Sequence, residues 1–297
     1  MHAKPLGRSL ALSLMVAAPV LWSTAGVVTR HIQGATAFEM VFWRSLFCAF
    51  FVTLTLLILN KTNPWQAARA AGWPGVFSGL MWGVMFTAFV VALSLTSTAN
   101  TLVVMSIGPL LTALLARMLL SDLVPVRTWL ASAAAIAGIA WMFGAGFSSH
   151  GARDVTGMLV ALLIPFAAAG NVINLRMHTG KVNLVPAVIL GGALSCLLAL
   201  PLAIPFSATP RDLALLVFLG FFQLGLPCML VVIASRTLLA PEIALIGLLE
   251  VVLGPLWAWI GAGETPAAAT LLGGAIVVGA LAANELAAFR PLAAKES

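Results

Sequence analysis

Polar side chains inside long apolar stretches are the features of this sequence that could carry chemistry, because each is expensive to place in hydrocarbon. Glu250 lies about twelve residues into the apolar stretch 238–260, near the middle of a bilayer at a rise of 1.5 Å per residue. A carboxylate at that depth is a candidate binding site for a proton or a cation. A structural carboxylate that is hydrogen-bonded to a neighbouring helix is the alternative, and the sequence does not separate the two.

Two further ionisable side chains, Arg44 and Glu242, are candidates for ion coupling together with Glu250. Arg44 lies about seven residues into the stretch 37–59, where it could bind the carboxylate of a solute, pair with Glu39 or extend towards the membrane surface. Glu242 follows a proline at the start of a helix, where a carboxylate also complements the helix dipole. For Arg44 and Glu242 the structural roles are favoured.

Uncharged polar and aromatic side chains could bind the remainder of a solute. Amides donate and accept hydrogen bonds, which suits a zwitterion, and indole or phenyl faces suit flat rings and delocalised cations. The candidate substrate-binding residues are Trp22, Trp82, Phe86, Asn100, Asn171, Asn174, Gln223 and Glu250. Hydrogen bonding between helices is the alternative role of the amides, and core packing is that of the aromatic rings.

Small and kink-forming residues interrupt the apolar stretches. Gly75, Gly79 and Gly83 form two overlapping GxxxG steps, which favour close packing of helices. Four prolines within the stretches could kink or break helices and act as hinges, namely Pro109, Pro165, Pro227 and Pro255.

The composition requires a membrane as the main solvent of the fold. Of the 297 residues, 62% are hydrophobic and 8% are charged, and the mean hydropathy is +1.09. In an ordinary soluble domain about 25% of the residues are charged. Ten apolar stretches of spanning length follow one another, with short loops of which 60–73 is one of the longest. They are 9–29, 37–59, 74–94, 98–120, 126–144, 155–175, 184–205, 212–233, 238–260 and 267–288, and they predict an all-α membrane protein with ten transmembrane helices.

Several classes of protein are disfavoured by the motifs that the sequence lacks. It contains no phosphate-binding GxxxxGK[ST] loop, no HExxH motif and no GxSxG elbow. The cysteines Cys48, Cys196 and Cys228 stand far apart inside apolar stretches, which predicts neither disulfides nor a metal site. The basic residues are scattered rather than clustered, which argues against nucleic-acid binding. We therefore expect no enzymatic activity, no cofactor and no metal.

The distribution of basic residues predicts the orientation of the chain. With the N-terminus in the cytoplasm, eleven Lys and Arg residues fall in cytoplasmic segments and three in outer segments. The positive-inside rule then places both termini in the cytoplasm, which an even number of spans allows. Residues 1–150 and 151–297 each hold five spans and enter the membrane from opposite sides, which predicts two inverted repeats around a central cavity. A shift of 142 residues aligns Asp122 with Glu264 and is a weak trace of this repeat.

Seven short motifs stand in an order and spacing that are typical of one protein family. They are LWST at 21–24, RH at 30–31, FWR at 42–44, TSTAN at 96–100, GP at 108–109, LLE at 248–250 and GE at 263–264. Together they resemble the drug/metabolite transporter superfamily, EamA type, over about residues 12–288. Two positions depart from the family pattern: Val251 stands where proline is usual, and Asp122 stands where glutamate is more frequent.

The resemblance implies a secondary transporter of the bacterial inner membrane, with a cavity lined mainly by spans 1, 3, 4, 6, 8 and 9. It implies export of small amphipathic metabolites by alternating access, either coupled to protons through Glu250 or uncoupled. Aromatic amino acids are favoured because a similar subgroup, the YddG-like exporters, moves them, and organic cations are also considered. The expected partners are the lipid bilayer and the solute, with the protein a monomer or weak dimer. The alternatives are an importer or exchanger of nucleotide-linked or vitamin-like metabolites and, from another class, an intramembrane enzyme or a non-transporting scaffold.

Overall fold

The computed structural model describes residues 6–59, 61–96, 98–121, 123–143, 151–262 and 268–293, and in these ranges every regular element is a helix. The helices are α1 (Arg8–Trp22), α2 (Ala25–Thr29), α3 (Ala37–Ile58), α4 (Pro64–Leu95), α5 (Thr98–Met105), α6 (Gly108–Leu119), α7 (Val126–Phe143), α8 (Ala152–Met177), α9 (Pro186–Ala203), α10 (Pro210–Phe218), α11 (Leu226–Ala234), α12 (Ala240–Gly247), α13 (Leu249–Ala262) and α14 (Ala268–Ala293). A π-helical turn, Leu219–Gly225, joins α10 to α11. The predicted all-α class is confirmed for these residues.

Each of the ten predicted apolar stretches coincides with helix. Among the described residues, eight segments are long and apolar enough to cross a membrane: Arg8–Thr29, Ala37–Ile58, Pro64–Leu95, Asn100–Leu119, Ala152–Met177, Pro186–Ala203, Pro210–Ala234 and Ala240–Gly261. The other two stretches are the shorter apolar helices Val126–Trp141 and Leu271–Asn284. Asp122 and Glu264, the acidic residues of the proposed sequence repeat, lie outside the described residues.

Four of the ten stretches are broken helices rather than continuous ones. The breaks separate α1 from α2, α5 from α6 and α12 from α13, and the π-helical turn interrupts the fourth. Pro109 lies in the first turn of α6, where the missing N–H of proline costs no helical hydrogen bond, and Pro227 lies in the first turn of α11, directly after the π-helical turn. Pro165 and Pro255 instead lie inside α8 and α13. Two of the four predicted hinge prolines therefore coincide with breaks.

The segment expected to be the loop 60–73 contains a helix. The side chain of Asn63 caps it by accepting a hydrogen bond from the backbone N–H of Trp65 at 2.9 Å, and Pro64 occupies the first turn. These are ordinary start signals of a helix. Gly72 ends this first part of α4 with a φ of 56°, a left-handed conformation that glycine adopts without a steric penalty. The helical direction changes there, and the membrane-spanning part of α4 follows.

Helices from the two halves of the chain pack mainly against each other. Helix α3 packs on α9 and on the π-helical turn, α4 packs on α8 and α9, and α7 packs on α14. Helix α1 packs on α11 and α12, and α6 packs on α8 and α12. The glycine steps of α4 make this approach possible: a Cβ on Gly79 would stand 2.7 Å from Leu190 Cβ, and one on Gly83 would stand 2.8 Å from Leu194 Cδ2. The predicted role in close helix packing is confirmed for Gly79 and Gly83, whereas Gly75 faces Ala71 of its own helix.

Candidate binding cavity

A cavity of about 210 Å³ lies where helices of both halves converge. Its wall is formed by α1, α3, α4, α5, α6, α8, the π-helical turn, α11, α12 and α13. Seven of the predicted site residues line it, namely Trp22, Arg44, Trp82, Phe86, Asn171, Gln223 and Glu250. Among the described residues, α7, α9 and α14 contribute nothing to the wall. Residues that are far apart in the sequence, from 22 to 250, are thus brought to one site.

Two opposite charges, Arg44 and Glu250, face the same cavity. Arg44 is buried, with 7% of its surface exposed, and the N–H of its Nε atom has no partner. The two side chains interact electrostatically but form no ion pair within the described part of the chain. The expected alternative partner, Glu39, is engaged elsewhere, because its carboxylate accepts hydrogen bonds from Ser207 and Ala208. Arg44 is therefore available to a ligand in the cavity.

Aromatic rings form one apolar side of the cavity. The rings of Trp82 and Phe86 lie 5.7 Å apart between centroids with an interplanar angle of 32°, and Phe89 continues the same face of α4. Trp22 contributes from the end of α1. Although Trp82 is only 4% exposed, the N–H of its indole has no hydrogen-bond partner. This wall can take a flat ring, and the indole N–H can donate a hydrogen bond to a polar group of the same ligand.

Two amides contribute polar groups to the cavity. Asn171 accepts a hydrogen bond at 2.6 Å from the hydroxyl of Ser78 through its Oδ1 atom. Gln223 donates from Nε2 to the backbone carbonyl of Trp22 at 3.3 Å, and its Oε1 atom is buried without a partner. Each amide is thus held by one protein contact, and its second polar atom is left for another partner.

Three predicted site residues lie away from the cavity. Asn100 donates to the hydroxyl of Thr96 at 2.7 Å, and Asn174 donates to the carbonyl of Pro74 at 2.9 Å. Glu242 forms an ion pair with Arg8 at 2.8 Å, and it also accepts a hydrogen bond from the backbone N–H at the start of α12. The contact of Asn174 joins α8 to α4, which is the alternative role considered for the amides, and the backbone contact of Glu242 is the helix-start role favoured for that residue.

Sequence reasoning missed part of the wall. Phe89 lies three and seven residues after two predicted site residues of α4, so helical spacing could have found it. The apolar residues Met15, Met85 and Ile243 also line the cavity. No sequence signal separates these from ordinary core residues, because the neighbouring helices decide which face of a buried helix meets a cavity. In the described residues no group of three or more His, Cys, Asp or Glu side chains could hold a metal ion.

The first half of the chain resembles a known family of membrane proteins. Residues 9–144, slightly less than half of the chain, match the family described as "EamA-like transporter family". This match and the eight apolar helices of membrane-spanning length among the described residues make the chain similar to a family of membrane transporters. No curated protein matches the chain.

The fold is shared with solved structures over nearly the whole chain. One solved crystal structure superposes on this chain with a TM-score of 0.80 and 20% sequence identity. The alignment covers 96% of this chain and 99% of the chain in that structure. This likeness extends to the second half of the chain, beyond the residues that the family match covers.

Proposed function

We propose that the protein exports a small amphipathic metabolite across the inner membrane of a bacterium by alternating access, with aromatic amino acids as the favoured substrates. The observation that carries this proposal is the joint presence of Arg44, Glu250 and the aromatic wall at one buried cavity. An amino-acid zwitterion presents a carboxylate to the first, an ammonium to the second and an apolar side chain to the third. Burial of all three contacts in one small volume strengthens each polar interaction, because little water competes for it.

The size of the cavity favours a small solute over the alternative substrates. The cavity measures about 210 Å³. Sites for drug-sized ligands usually measure about 300–1,000 Å³. A nucleotide-linked or vitamin-like metabolite would need more space and, for its phosphates, more cations than Arg44 supplies. Both arguments favour an amino acid over these metabolites.

The packing of the helices supports the inverted-repeat arrangement that alternating access requires. If the two repeats, 1–150 and 151–297, are exchanged, each of the first five spans takes the place of the span five positions later, and the reverse. The contact of α4 with α8 then corresponds to the contact of α1 with α11. The contact of α4 with α9 corresponds to that of α3 with the π-helical turn. All four contacts are observed. The pairs α3–α9 and α7–α14 correspond to themselves, as contacts on a pseudo-twofold axis would. We infer two such repeats with a substrate cavity between them.

The proposed orientation follows from the eleven to three distribution of basic residues, which places both termini in the cytoplasm. The carboxylate of Glu250 is the proposed site of proton coupling, and uncoupled export down a gradient is the alternative mechanism. Because the ion pair of Glu242 with Arg8 occupies its carboxylate, this residue is a weaker candidate for coupling than Glu250.

An efflux assay in cells tests both the substrate and the direction. Cells that express the protein and are loaded with phenylalanine should release it faster than cells that lack it. Arg44→Gln should remove this release, because the variant loses the charge that binds the carboxylate. Arg69→Gln, which changes an exposed arginine on the first part of α4, is the matched control and should export normally. Equal release by cells with and without the protein would contradict the proposal.

A further inference from the structure

The break between α1 and α2 exposes a backbone carbonyl inside the protein. Helix α1 ends at Trp22, so the carbonyl of this residue belongs to the last turn, where carbonyls lack a partner within the helix. The break is held in place on both sides: Ser23 donates to the carbonyl of Val20 at 2.7 Å and accepts from the indole N–H of Trp257 at 2.8 Å. The carbonyl of Trp22 is therefore a fixed acceptor at the edge of the cavity.

Gln223 meets this carbonyl from the opposite half of the chain. It lies in the π-helical turn Leu219–Gly225, and such turns are frequent at functional sites. Glycines hold the turn tightly against α3, since a Cβ on Gly220 would stand 2.9 Å from the carbonyl of Arg44 and one on Gly225 would stand 2.8 Å from Phe51. The side chain of Gln223 is 4% exposed. Its position is thus determined by packing on one side and by a hydrogen bond on the other.

The orientation of the Gln223 amide follows from the chemistry of its partner. A carbonyl can only accept a hydrogen bond, so the NH₂ group of the amide must face Trp22. The oxygen Oε1 then faces away from Trp22, and it is buried without a partner in a residue that lines the cavity. An unsatisfied buried acceptor destabilises the empty protein, and a ligand that donates to it removes this penalty.

We propose that Gln223 Oε1 accepts a hydrogen bond from an N–H group of the solute, so that the cavity selects a primary ammonium over a fully methylated one. This inference rests on the proposed function, since it takes the cavity as the solute site. Oε1 and the carboxylate of Glu250 are two acceptors among the residues of the wall, and the Nε–H of Arg44 and the indole N–H of Trp82 are unpartnered donors. Quaternary ammonium ions match the charge of Glu250 but have no N–H to offer Gln223.

The discrimination is expected to be large. A site that is built to hydrogen-bond a group of its ligand rejects analogues without that group, because its own buried polar atom is left unpaired. One unpaired neutral acceptor corresponds to a loss of roughly 10- to 100-fold in affinity. Amino acids carry this N–H group, whereas the quaternary members of the other candidate substrate class, organic cations, lack it.

Ligand-induced stabilisation of the purified protein tests the proposal without a transport assay. The probes are two pairs that differ only in methylation of the nitrogen: phenethylamine with its N,N,N-trimethyl analogue, and phenylalanine with its N,N,N-trimethyl betaine. The wild-type protein should bind the primary amine of each pair about 10- to 100-fold more tightly. In Gln223→Met, which keeps the length of the side chain and loses the acceptor oxygen, this ratio should fall to about threefold or less.

The design contains its own controls. Binding of the trimethyl analogues should be unchanged in Gln223→Met, which shows that the variant is folded. Gln66→Met, at an exposed glutamine of α4, should keep the wild-type ratio. The proposal is overturned if Gln223→Met retains the wild-type discrimination, or if the wild-type protein binds both amines of the first pair equally or binds neither. The first pair has no carboxylate, so a failure of phenylalanine alone counts against the amino-acid assignment and not against the role of Gln223.

Discussion

Glu39 and Asp212 each hold the loop that precedes the helix of the other. Both lie in the first turn of their helices, α3 and α10, and both are buried. Asp212 accepts hydrogen bonds from the backbone N–H groups of Gln33 and Gly34 at 3.1 and 3.0 Å. Glu39 accepts from Ser207 and Ala208 at 2.9–3.1 Å. The two carboxylates form a reciprocal clasp that joins the two halves of the chain at one end of the bundle.

The clasp predicts a steric effect of Gly34→Ala on stability. A Cβ at this position would stand 2.8 Å from both the Asp212 carboxylate and the carbonyl of Ser207, so the loop must move away from the clasp. We expect the midpoint of thermal unfolding to fall by roughly 3 °C or more. Gly26→Ala is the matched control, because a Cβ there has no atom within 4 Å and the residue lies in α2. Equal unfolding temperatures for the two variants would argue against a tight clasp.

The ion pair between Arg8 and Glu242 predicts a measurable coupling between α1 and α12. The exposed fractions of the two side chains are 24% and 5%, so the pair is partly shielded from solvent. In a double-mutant cycle with Arg8→Gln and Glu242→Gln, we expect a coupling free energy of about 1 kcal/mol in the stability of the protein. Additive effects of the two substitutions would show that the pair contributes nothing to the packing of these helices.

Glu250→Gln should abolish the pH dependence of transport while leaving the fold intact. The glutamine keeps the shape of the side chain and a hydrogen-bonding oxygen, but it cannot release or bind a proton near neutral pH. Flux measured in liposomes between pH 5.5 and 8 gives the comparison, and the unfolding temperature reports on the fold. Glu242→Gln is the control and should keep the pH dependence of the wild-type protein. Unchanged pH dependence in Glu250→Gln would refute the assignment of the coupling site.

Gly191→Ala should disturb the cavity from a distance. A Cβ on this residue of α9 would collide with Trp82 Cβ and stand 3.1 Å from the carbonyl of Gly79, so α4 must shift. Because the ring of Trp82 belongs to the cavity wall, we expect a loss of at least about tenfold in transport rate along with a lower unfolding temperature. Gly254→Ala, in α13 and with no atom within 4 Å of its Cβ, should behave like the wild-type protein. Normal transport by Gly191→Ala would show that the position of Trp82 is not critical.

The chemistry of the side chains made most of the cavity predictable. Ionisable residues in apolar stretches are rare and need a reason, which singled out Arg44 and Glu250 as candidates. Both line one cavity together with the candidate aromatic residues Trp22 and Trp82. The long apolar stretches made the helices predictable for the same reason, since hydrocarbon admits few other backbone structures.

Local spacing did not predict which amides would reach the cavity. Asn171 and Asn174 share a face of α8, yet only Asn171 lines the cavity, because the carbonyl of Pro74 on α4 takes the amide of Asn174. Pro74 follows the change of direction at Gly72, and its contact with α8 joins residues 100 positions apart, which local spacing does not reveal. The π-helical turn that places Gln223 likewise has no sequence signal beyond Gly220 and Gly225. Close packing against α3 accompanies this turn, and local sequence does not reveal such packing.

Counterflow of radiolabelled phenylalanine and tryptophan into liposomes that contain the purified protein tests the central claim most directly. The account predicts exchange of both amino acids by the wild-type protein, and a loss of at least about tenfold in Arg44→Gln and in Trp82→Ala. Arg69→Gln should exchange them at the wild-type rate. Absence of amino-acid exchange by the wild-type protein, or full exchange by Arg44→Gln, would contradict the claim that this cavity binds and moves an aromatic zwitterion.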